Sequence, residues 1–462
     1  MKRQITTILV IASLALPVSC APLIDITRIE DSRVVPAHIL PATQISFEDR
    51  TEETVAHARK LITKNETEGA VLDQRWYGFR RFGQYQDLIL GATKVIFCGG
   101  REGDVQSELG PHYESIRPLE GDQDPGEIRL YAANRSDGTW DFLIIGQNGR
   151  EVALKTVIRF LYIEKFLDSQ AKQKYRDRLQ SFDRSLKVLM SSRSARDEFI
   201  GFFKRNGIYE PDAVIIGFMS DSAYLMRQEG LHNANLYTDE SLRVNWYNDV
   251  YGKKVLLVSI NGNRIFASRA GQLMEAIFDI SPRRAPAIAF FGSAGVIDHP
   301  ELVWQIAAPI SVTSGDLSGP SETKGELLHL ISNRAASLEA LQTTHASIES
   351  VVAETTEWAK TMKKRGIKTV DQELLHVIRA VQKSRYGNSV VLFAGILVTD
   401  NISSNPAAMD ITLERAEDTI SEATPLRRDF LYKILKAIGI LRNPAALNDA
   451  ANANRSAGGA RD

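Results

Sequence analysis

The stretch Thr369–Ile402, TVDQELLHVIRAVQKSRYGNSVVLFAGILVTDNI, places two carboxylates at the ends of two predicted elements. Glu373 lies near the start of a helix predicted over Gln372–Lys383, because apolar residues recur there at steps of three and four. Asp400 follows the apolar run Ser389–Thr399, which is typical of a buried strand. Carboxylates at two such ends can face one pocket, where one binds a polyol and the other protonates a leaving group. This division of labour suits cleavage of an N-glycosidic bond.

The region around this stretch, residues 209–441, alternates apolar runs with helical segments. Apolar strands separated by helices are typical of a parallel-rich sheet that is covered on both faces, so we predict an α/β domain. Besides the two elements above, its predicted strands are Ala213–Gly217, Val255–Ile260, Ala287–Phe291 and Ile310–Val312, and its predicted helices are Ala267–Phe278, Glu326–Leu341 and Glu354–Arg365.

A second, smaller α+β domain is predicted over residues 51–208, because 462 residues exceed the usual size of one domain core. The pattern favours helix over Glu52–Lys64 and across 151–205, a long loop over Gly99–Gly126, and strands at Thr93–Cys98, Glu127–Tyr131 and Trp140–Ile145. The sequence assigns no role to this domain.

One glycine turn in the N-terminal domain, Ile144–Gly149, precedes a predicted helix. It fits either a phosphate-binding turn or a plain strand–turn–helix. Because the full dinucleotide pattern is missing, the plain turn is favoured.

Residues 1–21 are typical of a signal peptide, with a basic start, the apolar run Ile5–Val18 and a small-residue cleavage site. We therefore expect an exported, periplasmic protein. Cys20 also fits the acylated Cys of a bacterial lipobox, although Pro17 stands where that motif usually has Leu. Cleavage after Ala21 and a membrane-anchored lipoprotein with a lipidated Cys20 both remain open. Residues 22–50 are predicted to be a linker and residues 442–462 a disordered tail.

The composition argues against several kinds of partner. The chain has 56 basic and 57 acidic residues, so no net field draws it to nucleic acid. No Cys/His cluster has zinc-ligand spacing, and we expect neither a metal nor a cofactor. Cys98 lies in an apolar run and is predicted to be a buried structural thiol.

Glycine-containing segments follow two predicted strands of the C-terminal domain, where α/β sheets bind ligands. Gly217 closes the first strand, and Gly292 and Gly295 bracket a predicted polar turn that contains Ser293. Backbone amides and the Ser293 hydroxyl in such a turn can bind a phosphate, a ribose hydroxyl or a water. Taken singly, each segment is better explained by an ordinary turn.

Together, in order, these segments resemble the purine nucleoside and uridine phosphorylase superfamily, which includes the methylthioadenosine/S-adenosylhomocysteine nucleosidases. IIGFM at Ile215–Met219 is similar to the nucleosidase IIGAM, and GSAG at Gly292–Gly295 is identical to the nucleosidase GSAG. VDQE at Val370–Glu373 resembles VDME, and VTD at Val398–Asp400 is similar to the family's Ile/Val-Ser-Asp. The resemblance covers the C-terminal half only. It implies a three-layer domain with a mixed, parallel-rich sheet.

The resemblance also implies roles for individual residues. Asp400 matches the family's general acid, which protonates the leaving base, and Glu373 matches the glutamate that binds the ribose hydroxyls. Gln372 takes the place of the Met that lies under the ribose. The implied ligand is a nucleoside-like small molecule, with phosphate as a further ligand in the phosphorylases. The family's usual assembly implies a homo-oligomer.

The residues that handle the nucleophile in the family do not match. Phe290 stands where phosphorylases have a phosphate-binding Arg, and Ser222 stands where nucleosidases have a water-activating Glu. Ile396 replaces a nucleosidase Arg, and Asp221 is expected to point away from Ser222 if the segment is extended. The candidates to replace these groups are Arg264, Arg269 and His299.

Three functional hypotheses follow from this mixture of matches and departures. The first is hydrolysis of a purine-type nucleoside or nucleotide. The second is a catalytically inactive relative that binds a nucleoside or another small ligand. The third is a surface lipoprotein whose α/β domain is a scaffold for partner binding. A phosphorylase ranks below these three, because the apolar ring of Phe290 cannot bind phosphate.

Overall fold

The computed structural model describes residues 45–67, 85–119, 128–146, 148–167, 169–239, 242–259, 268–315, 327–329, 333–348, 356–401 and 423–442. They contain one six-stranded and one ten-stranded sheet. The predicted signal peptide with Cys20, most of the predicted linker and residues 443–462 of the predicted tail lie outside the described residues. Within the described ranges, no helix is both long enough and apolar enough to span a membrane.

The N-terminal sheet has the strand order β1-β6-β2-β5-β4-β3. Its strands are β1 (Phe47–Asp49), β2 (Val95–Gly99), β3 (Ser115–Pro118), β4 (Ile128–Asn134), β5 (Trp140–Gly146) and β6 (Leu186–Ser191). Its α-helices are α1 (Thr51–Thr67), α2 (Gln86–Gly91), α3 (Glu102–Leu109), α4 (Arg150–Leu161), α5 (Ile163–Phe166), α6 (Ser169–Lys174) and α7 (Arg176–Gln180). β2 pairs in parallel with both β5 and β6, so the carboxyl ends of these three strands meet at one edge.

Three segments of this domain differ from the sequence predictions. The predicted loop Gly99–Gly126 contains α3 and β3, and the predicted helical region 151–205 contains β6. The last residues of the predicted linker 22–50 form β1, which pairs with β6. These strands have three, four and six residues, too short to give a strong alternation of apolar and polar side chains.

The C-terminal sheet has the strand order β13-β12-β14-β15-β11-β7-β10-β9-β8, with β16 paired to β11 and β12. Its strands are β7 (Ala213–Ile216), β8 (Asn235–Thr238), β9 (Arg243–Val250), β10 (Lys253–Ser259), β11 (Ala287–Val296), β12 (Ile306–Ser314), β13 (Leu327–His329), β14 (Leu341–Ser347), β15 (Thr369–Asp371) and β16 (Leu392–Asn401). The α-helices of this half are α8 (Ala195–Arg205), α9 (Met219–Gln228), α10 (Ser268–Asp279), α11 (Thr356–Lys364), α12 (Leu374–Lys383) and α13 (Thr424–Ala437).

Helices cover both faces of this sheet. The strands β10, β7, β11 and β16 are mutually parallel, and their apolar side chains are buried on both sides. Buried residues of α8, α10 and α12 form one core with the sheet, and those of α9 and α13 form the other. The predicted α/β class with a mixed sheet between helical layers is therefore confirmed for this half. α8 packs here, although its sequence falls within the predicted N-terminal region 51–208.

Five strands of this sheet pair in a closed circuit. β11 pairs with β15, β15 with β14, β14 with β12, β12 with β16, and β16 again with β11. This circuit holds the ends of β15 and β16 in fixed register against the end of β11.

The predicted helix Glu326–Leu341 is wrong. The described part of this region contains β13 and a 3-10 turn at Arg334–Ser337 instead. The buried side chain of Asn333 donates to Pro309 O at 2.9 Å and to Ala394 O at 2.8 Å, and it accepts from Ala394 N at 2.9 Å. These bonds hold the chain against β12 and β16, which a helix could not do.

Candidate functional site

A gap in strand pairing opens along one edge of β11. On this edge, β7 pairs with β11 only as far as Phe290, and β15 begins to pair at Gly295. Between them, Phe291–Ala294 have no registered partner among the described strands on this edge. The opposite edge of β11 pairs with β16 along almost its whole length. The gap therefore lies at the carboxyl end of β7, where ligands of α/β sheets bind.

Gly217 forms the wall of this gap at the end of β7. Its φ of +91° is in the left-handed region, and a Cβ at this position would collide with the carbonyl oxygen of Phe291. The next residue, Phe218, also has a positive φ of +41° before α9 begins. Only glycine allows the turn to approach β11 so closely. Gly217 thus lies directly after β7, against the backbone of β11.

The predicted polar turn between Gly292 and Gly295 is wrong, because both glycines lie inside β11. The ladder with β16 continues through them, with a register shift between Ala294 and Gly295. On the β16 edge, the backbone of this segment therefore takes part in the ladder. Ser293 is exposed, and its hydroxyl is the polar side chain that β11 contributes to the gap segment.

Gln372 and Glu373 follow β15 directly. β15 runs antiparallel to β11 with Gly295 opposite Val370, and the registered pairing ends there, two residues before Gln372. Glu373 is half-buried at the start of α12, and its Oε2 accepts from Gln372 N at 3.3 Å. The strand pairing thus brings the turn that carries both residues to the Gly295 end of the gap.

A buried polar network fixes the turn that carries Glu373. Asp371 accepts from Ser347 Oγ at 2.5 Å and from Leu374 N at 3.0 Å, so it caps the first turn of α12. The ring of His345 is fully buried, with Nε2 2.9 Å from Asp371 Oδ1 although not in hydrogen-bond alignment. Sequence reasoning missed this network. The sequence signal that could have revealed it is Asp371 itself, because an Asp three residues before Leu374 is typical of a side chain that caps the start of a helix.

Asp400 lies within β16, since this strand continues two residues beyond the predicted end at Thr399. Its backbone pairs with Gly295, which pairs with Val370 on its other edge. The backbones of Asp400 and Val370 therefore stand two strand spacings apart, or about 10 Å. The ends of β15 and β16 flank the same end of β11.

The first turn of α9 carries Asp221 and Ser222, so the expected extended segment is wrong. Asp221 is buried and accepts from Arg427 Nε at 2.9 Å and from Arg428 Nε at 3.0 Å. These bonds anchor α13 on α9, and both Asp221 oxygens are engaged. Ser222 is fully buried, and its Oγ has no hydrogen-bond partner among the described residues.

The proposed substitutes for the missing nucleophile-handling groups lie elsewhere or outside the described residues. Arg269 is buried, and its Nη1 donates to Asn148 O, in the N-terminal domain, at 3.3 Å. His299 Nδ1 lies 2.9 Å from Glu301 Oε1 in the segment after β11. Arg264 falls outside the described residues.

The two remaining departures from the family pattern are core residues. Phe290 and Ile396 are buried among apolar side chains. Phe290 stands at the position where the resemblance leads one to expect a phosphate-binding Arg. Its aromatic ring packs in the apolar core of the sheet and offers no hydrogen-bond donor to an anion.

Metal and thiol chemistry have little support in the described part of the chain. No group of three or more His, Cys, Asp or Glu side chains there is arranged to hold a metal ion. Cys98 is buried as predicted, and burial raises the pKa of its thiol to about 12. A thiol of this kind stays protonated and unreactive near neutral pH.

Comparison with known proteins finds likeness at the level of structure. No family model and no curated protein sequence matches the chain. The chain is similar to the solved structure of Arabidopsis thaliana 5′-methylthioadenosine nucleosidase, with 13% identity, 52% of this chain and 100% of that chain covered, and a TM-score of 0.39. It is also similar to Neisseria meningitidis 5′-methylthioadenosine/S-adenosylhomocysteine nucleosidase in complex with methylthio-immucillin-A, with 16% identity, coverage of 49% and 98%, and a TM-score of 0.36.

A phosphorylase is among the similar structures as well. Uridine phosphorylase isoform 2 of Schistosoma mansoni is 10% identical, with 55% of this chain and 93% of that chain covered and a TM-score of 0.37. Nucleosidases and phosphorylases are the proteins that the sequence motifs resemble. At these identities and TM-scores the likeness is no guide to activity.

Proposed function

We propose that the C-terminal domain hydrolyses the N-glycosidic bond of a purine-type nucleoside or nucleotide. The observation that carries this proposal is the double pairing of Gly295. Asp400 is its partner on one edge, and Val370, three residues before Glu373, is its partner on the other. One ligand at this end of β11 can contact a carboxylate from each side.

The chemistry assigns a different task to each carboxylate. The bond breaks through a ribosyl cation and a departing base, and the base leaves more readily when a nitrogen is protonated. Asp400 is the proton donor in this proposal. Glu373 binds the ribose hydroxyls and stabilises the positive charge that develops on the sugar. Gln372, Ser293 and the backbone at Gly217 and Gly292 complete the ligand pocket in this proposal, whereas the backbone of Gly295 is paired on both edges.

Water is the favoured nucleophile over phosphate. The position that holds a phosphate-binding Arg in the phosphorylases carries Phe290, which is buried in the core. A phosphorylase, a pentosyltransferase that needs phosphate beside the sugar, is therefore the weaker alternative.

A non-catalytic nucleoside-binding protein is the second candidate, and the surroundings of Asp221 favour it. Asp221 is the carboxylate nearest in sequence to the water-activating position, yet both of its oxygens accept from arginines. Ser222 stands at that position and is a poor base. In this reading the ribose and base contacts remain, while the group that activates water is lost.

Export belongs to the same proposal. Residues 1–21 are proposed to direct the chain to the periplasm, with Cys20 as the acylation site if the protein is a lipoprotein. Mass spectrometry of the mature N-terminus distinguishes the alternatives. A diacylglyceryl group on Cys20 supports anchoring, and an unmodified N-terminus after Ala21 contradicts it.

The proposed activity is tested by incubating the mature protein with purine and pyrimidine nucleosides and nucleotides, with and without phosphate. Free base is then measured by chromatography. Release of purine base without phosphate is the expected result, and release that requires phosphate would overturn hydrolysis. No release, together with a phosphate-independent rise of the melting temperature by nucleosides, favours the non-catalytic alternative.

Matched variants assign the two roles. Asp400→Asn removes the proton donor, and Glu373→Gln removes the ribose ligand. Glu357→Gln is the control, because Glu357 is an exposed residue of α11 paired only with Lys360 in the described part of the chain. Base release that is the same in Asp400→Asn and in the control would refute the assigned acid.

A further inference from the structure

The N-terminal domain, to which the sequence assigns no role, meets the helices of the C-terminal domain at the turn between β5 and α4. Asn148 lies in this turn, and its Nδ2 donates to Ser191 O at 2.8 Å and to Arg193 O at 2.5 Å. These bonds tie the turn to the segment between β6 and α8. Since buried residues of α8 belong to a core of the C-terminal sheet, the turn is fixed where the two domains meet.

Arg269 reaches from α10 to the same turn. Its side chain is 2% exposed, and its Nη1 donates to Asn148 O at 3.3 Å. The guanidinium group also lies over the ring of Phe199 on α8, 5.2 Å from the ring centroid, and its Nη2 is 3.8 Å from Glu198 Oε2. A planar guanidinium group can stack on a ring and donate hydrogen bonds at the same time. One buried side chain of α10 therefore contacts both α8 and the N-terminal domain.

Gly271, two residues after Arg269, packs against α12. A Cβ at this position would lie 3.0 Å from His376 O and 3.3 Å from His376 C, which is tighter than almost all real contacts of a Cβ atom. Glycine is unfavourable inside a helix, so the close approach of the two helices explains why it stands here. Because packed interiors leave little free space, a displacement of α10 is passed on to α12.

His376 belongs to the helical turn that begins at Glu373. Glu373 O accepts from His376 N at 3.0 Å and from Val377 N at 3.2 Å. The sheet holds the same turn, because Ser347 Oγ on β14 accepts from Leu375 N at 3.0 Å. The start of α12 is therefore held both by the sheet and by α10.

We propose that Asn148 and Arg269 are positioning residues, through which the N-terminal domain fixes the place of Glu373. The β5–α4 turn contacts Arg269 on α10, and Gly271 on the same helix contacts His376 on α12. His376 in turn bonds to Glu373 within one helical turn. This inference rests on the proposed function, in which Glu373 binds the ribose hydroxyls. Hydrogen bonds weaken steeply with poor geometry, so a displaced carboxylate binds the ribose less well.

Asn148→Ala tests the N-terminal end of this chain of contacts. The variant removes both bonds of the Asn148 amide and alters no residue of the C-terminal domain. We expect the affinity for adenosine to fall about 2- to 30-fold, the usual range for coupling between separated sites. Calorimetric titration of the mature protein measures it. Asn134→Ala is the matched control with unchanged affinity, because Asn134 donates to Ser115 Oγ at 3.0 Å between β4 and β3.

Gly271→Ala tests the contact between α10 and α12. The added methyl group forces His376 away, and we expect a loss of adenosine affinity in the same range. Gly103→Ala on α3 is its control, because a Cβ at Gly103 meets no atom within 4 Å. The melting temperature without ligand shows whether each variant is folded. If Asn148→Ala does not fold, Gly271→Ala carries the test, since the two positions lie in different domains.

A double variant separates positioning of Glu373 from a general loosening of the protein. If Asn148 acts through Glu373, the addition of Asn148→Ala to Glu373→Gln lowers the adenosine affinity no further, because the charged contact is already lost. An additional loss as large as that of Asn148→Ala alone would overturn the positioning role. The N-terminal domain would then act on nucleoside binding by another route.

Hydrogen exchange tests the inference without any nucleoside. We expect the amides of His376 and Val377 to exchange faster in Asn148→Ala and in Gly271→Ala than in the controls, because both amides bond to Glu373 O. Unchanged exchange in both variants overturns the inference, and so does an adenosine affinity equal to that of wild type in both. Failure of the wild type to bind any nucleoside would instead overturn the proposed function, and the exchange rates then decide whether the N-terminal domain positions this turn.

Discussion

The two sides of the gap along β11 differ in what they offer a substrate. On the side of β15 and β16, strand ends in fixed register carry Glu373 and Asp400, and a buried network holds the turn before Glu373. On the side of β7 and α9, Asp221 is the carboxylate nearest in sequence to the position of the family's water-activating Glu. Its two oxygens accept hydrogen bonds from Arg427 and Arg428. Under the proposed function, the fold keeps the geometry for a leaving group, while the side that would handle the nucleophile takes a structural role.

The largest effect is expected at Asp400. If this residue is the general acid, Asp400→Asn lowers kcat roughly 100- to 10,000-fold, the usual contribution of a positioned proton donor. Single-turnover release of base from a purine nucleoside measures it. Asp279→Asn is the control, because Asp279 is an exposed partner of Arg196 at the end of α10. An unchanged kcat for Asp400→Asn would show that the side of β15 and β16 carries no general acid at this residue, and the proposed contrast with the side of β7 and α9 would fail.

The next effect concerns stability on the α9 side. Asp221→Asn leaves two arginines without their carboxylate, and breaking a buried pair in this way costs about 3–5 kcal/mol of unfolding free energy. Chemical denaturation measures the loss. Asp429→Asn, which changes an exposed partner of Lys433 on α13, is expected to have little effect. A stable Asp221→Asn variant that loses base release would instead make Asp221 a catalytic group.

A smaller effect is expected at Glu373. Glu373→Gln keeps the shape but loses charged hydrogen bonds to the ribose, which costs about 1.5–3 kcal/mol, or about 10- to 150-fold in nucleoside affinity. Calorimetric titration with adenosine measures it, with Glu357→Gln as the matched control. Equal affinity in both variants would contradict the ribose role.

The smallest effect is expected at Ser222. Its buried hydroxyl has no partner among the described residues, so Ser222→Ala removes a desolvated polar group and raises stability by up to about 1 kcal/mol. We expect kcat to stay unchanged. A fall in kcat without a fall in stability would show that this hydroxyl orients the attacking water, and the nucleophile side would then be functional.

The sequence predicted those elements whose signal is local. The apolar runs of β7, β11 and β16 are long or fully buried. The ends of β7 and β16 were predicted to within three residues, whereas β11 was predicted from its correct start but five residues too short. The helix Glu326–Leu341 was predicted wrongly because its apolar spacing looked helical, whereas Asn333 bonds to β12 and β16, strands distant in sequence.

The candidate site also has parts with a local sequence signal and parts that depend on contacts distant in sequence. Glu373 and Asp400 were recognised as carboxylates at element ends, which is a local property. The gap itself results from the unequal lengths of β7 and β11, which have four and ten residues, and from where β15 begins to pair. The pairing of Asp221 with Arg427 spans 206 residues of sequence. Contacts of this kind leave no periodic pattern, so a single sequence cannot reveal them.

The amide of Asn333 acts as a substitute peptide group inside the closed circuit of strands. Its side chain offers one donor group and one acceptor, as a backbone unit does, and it meets the N–H and C=O of Ala394 together with the carbonyl of Pro309. An Asp at this position would direct negative charge at two carbonyl oxygens, and a Gln would be one methylene too long for a buried site. Asn333 therefore joins β12 and β16 beyond the short backbone ladder at Ile306 and Ala307, with a side chain in place of a strand.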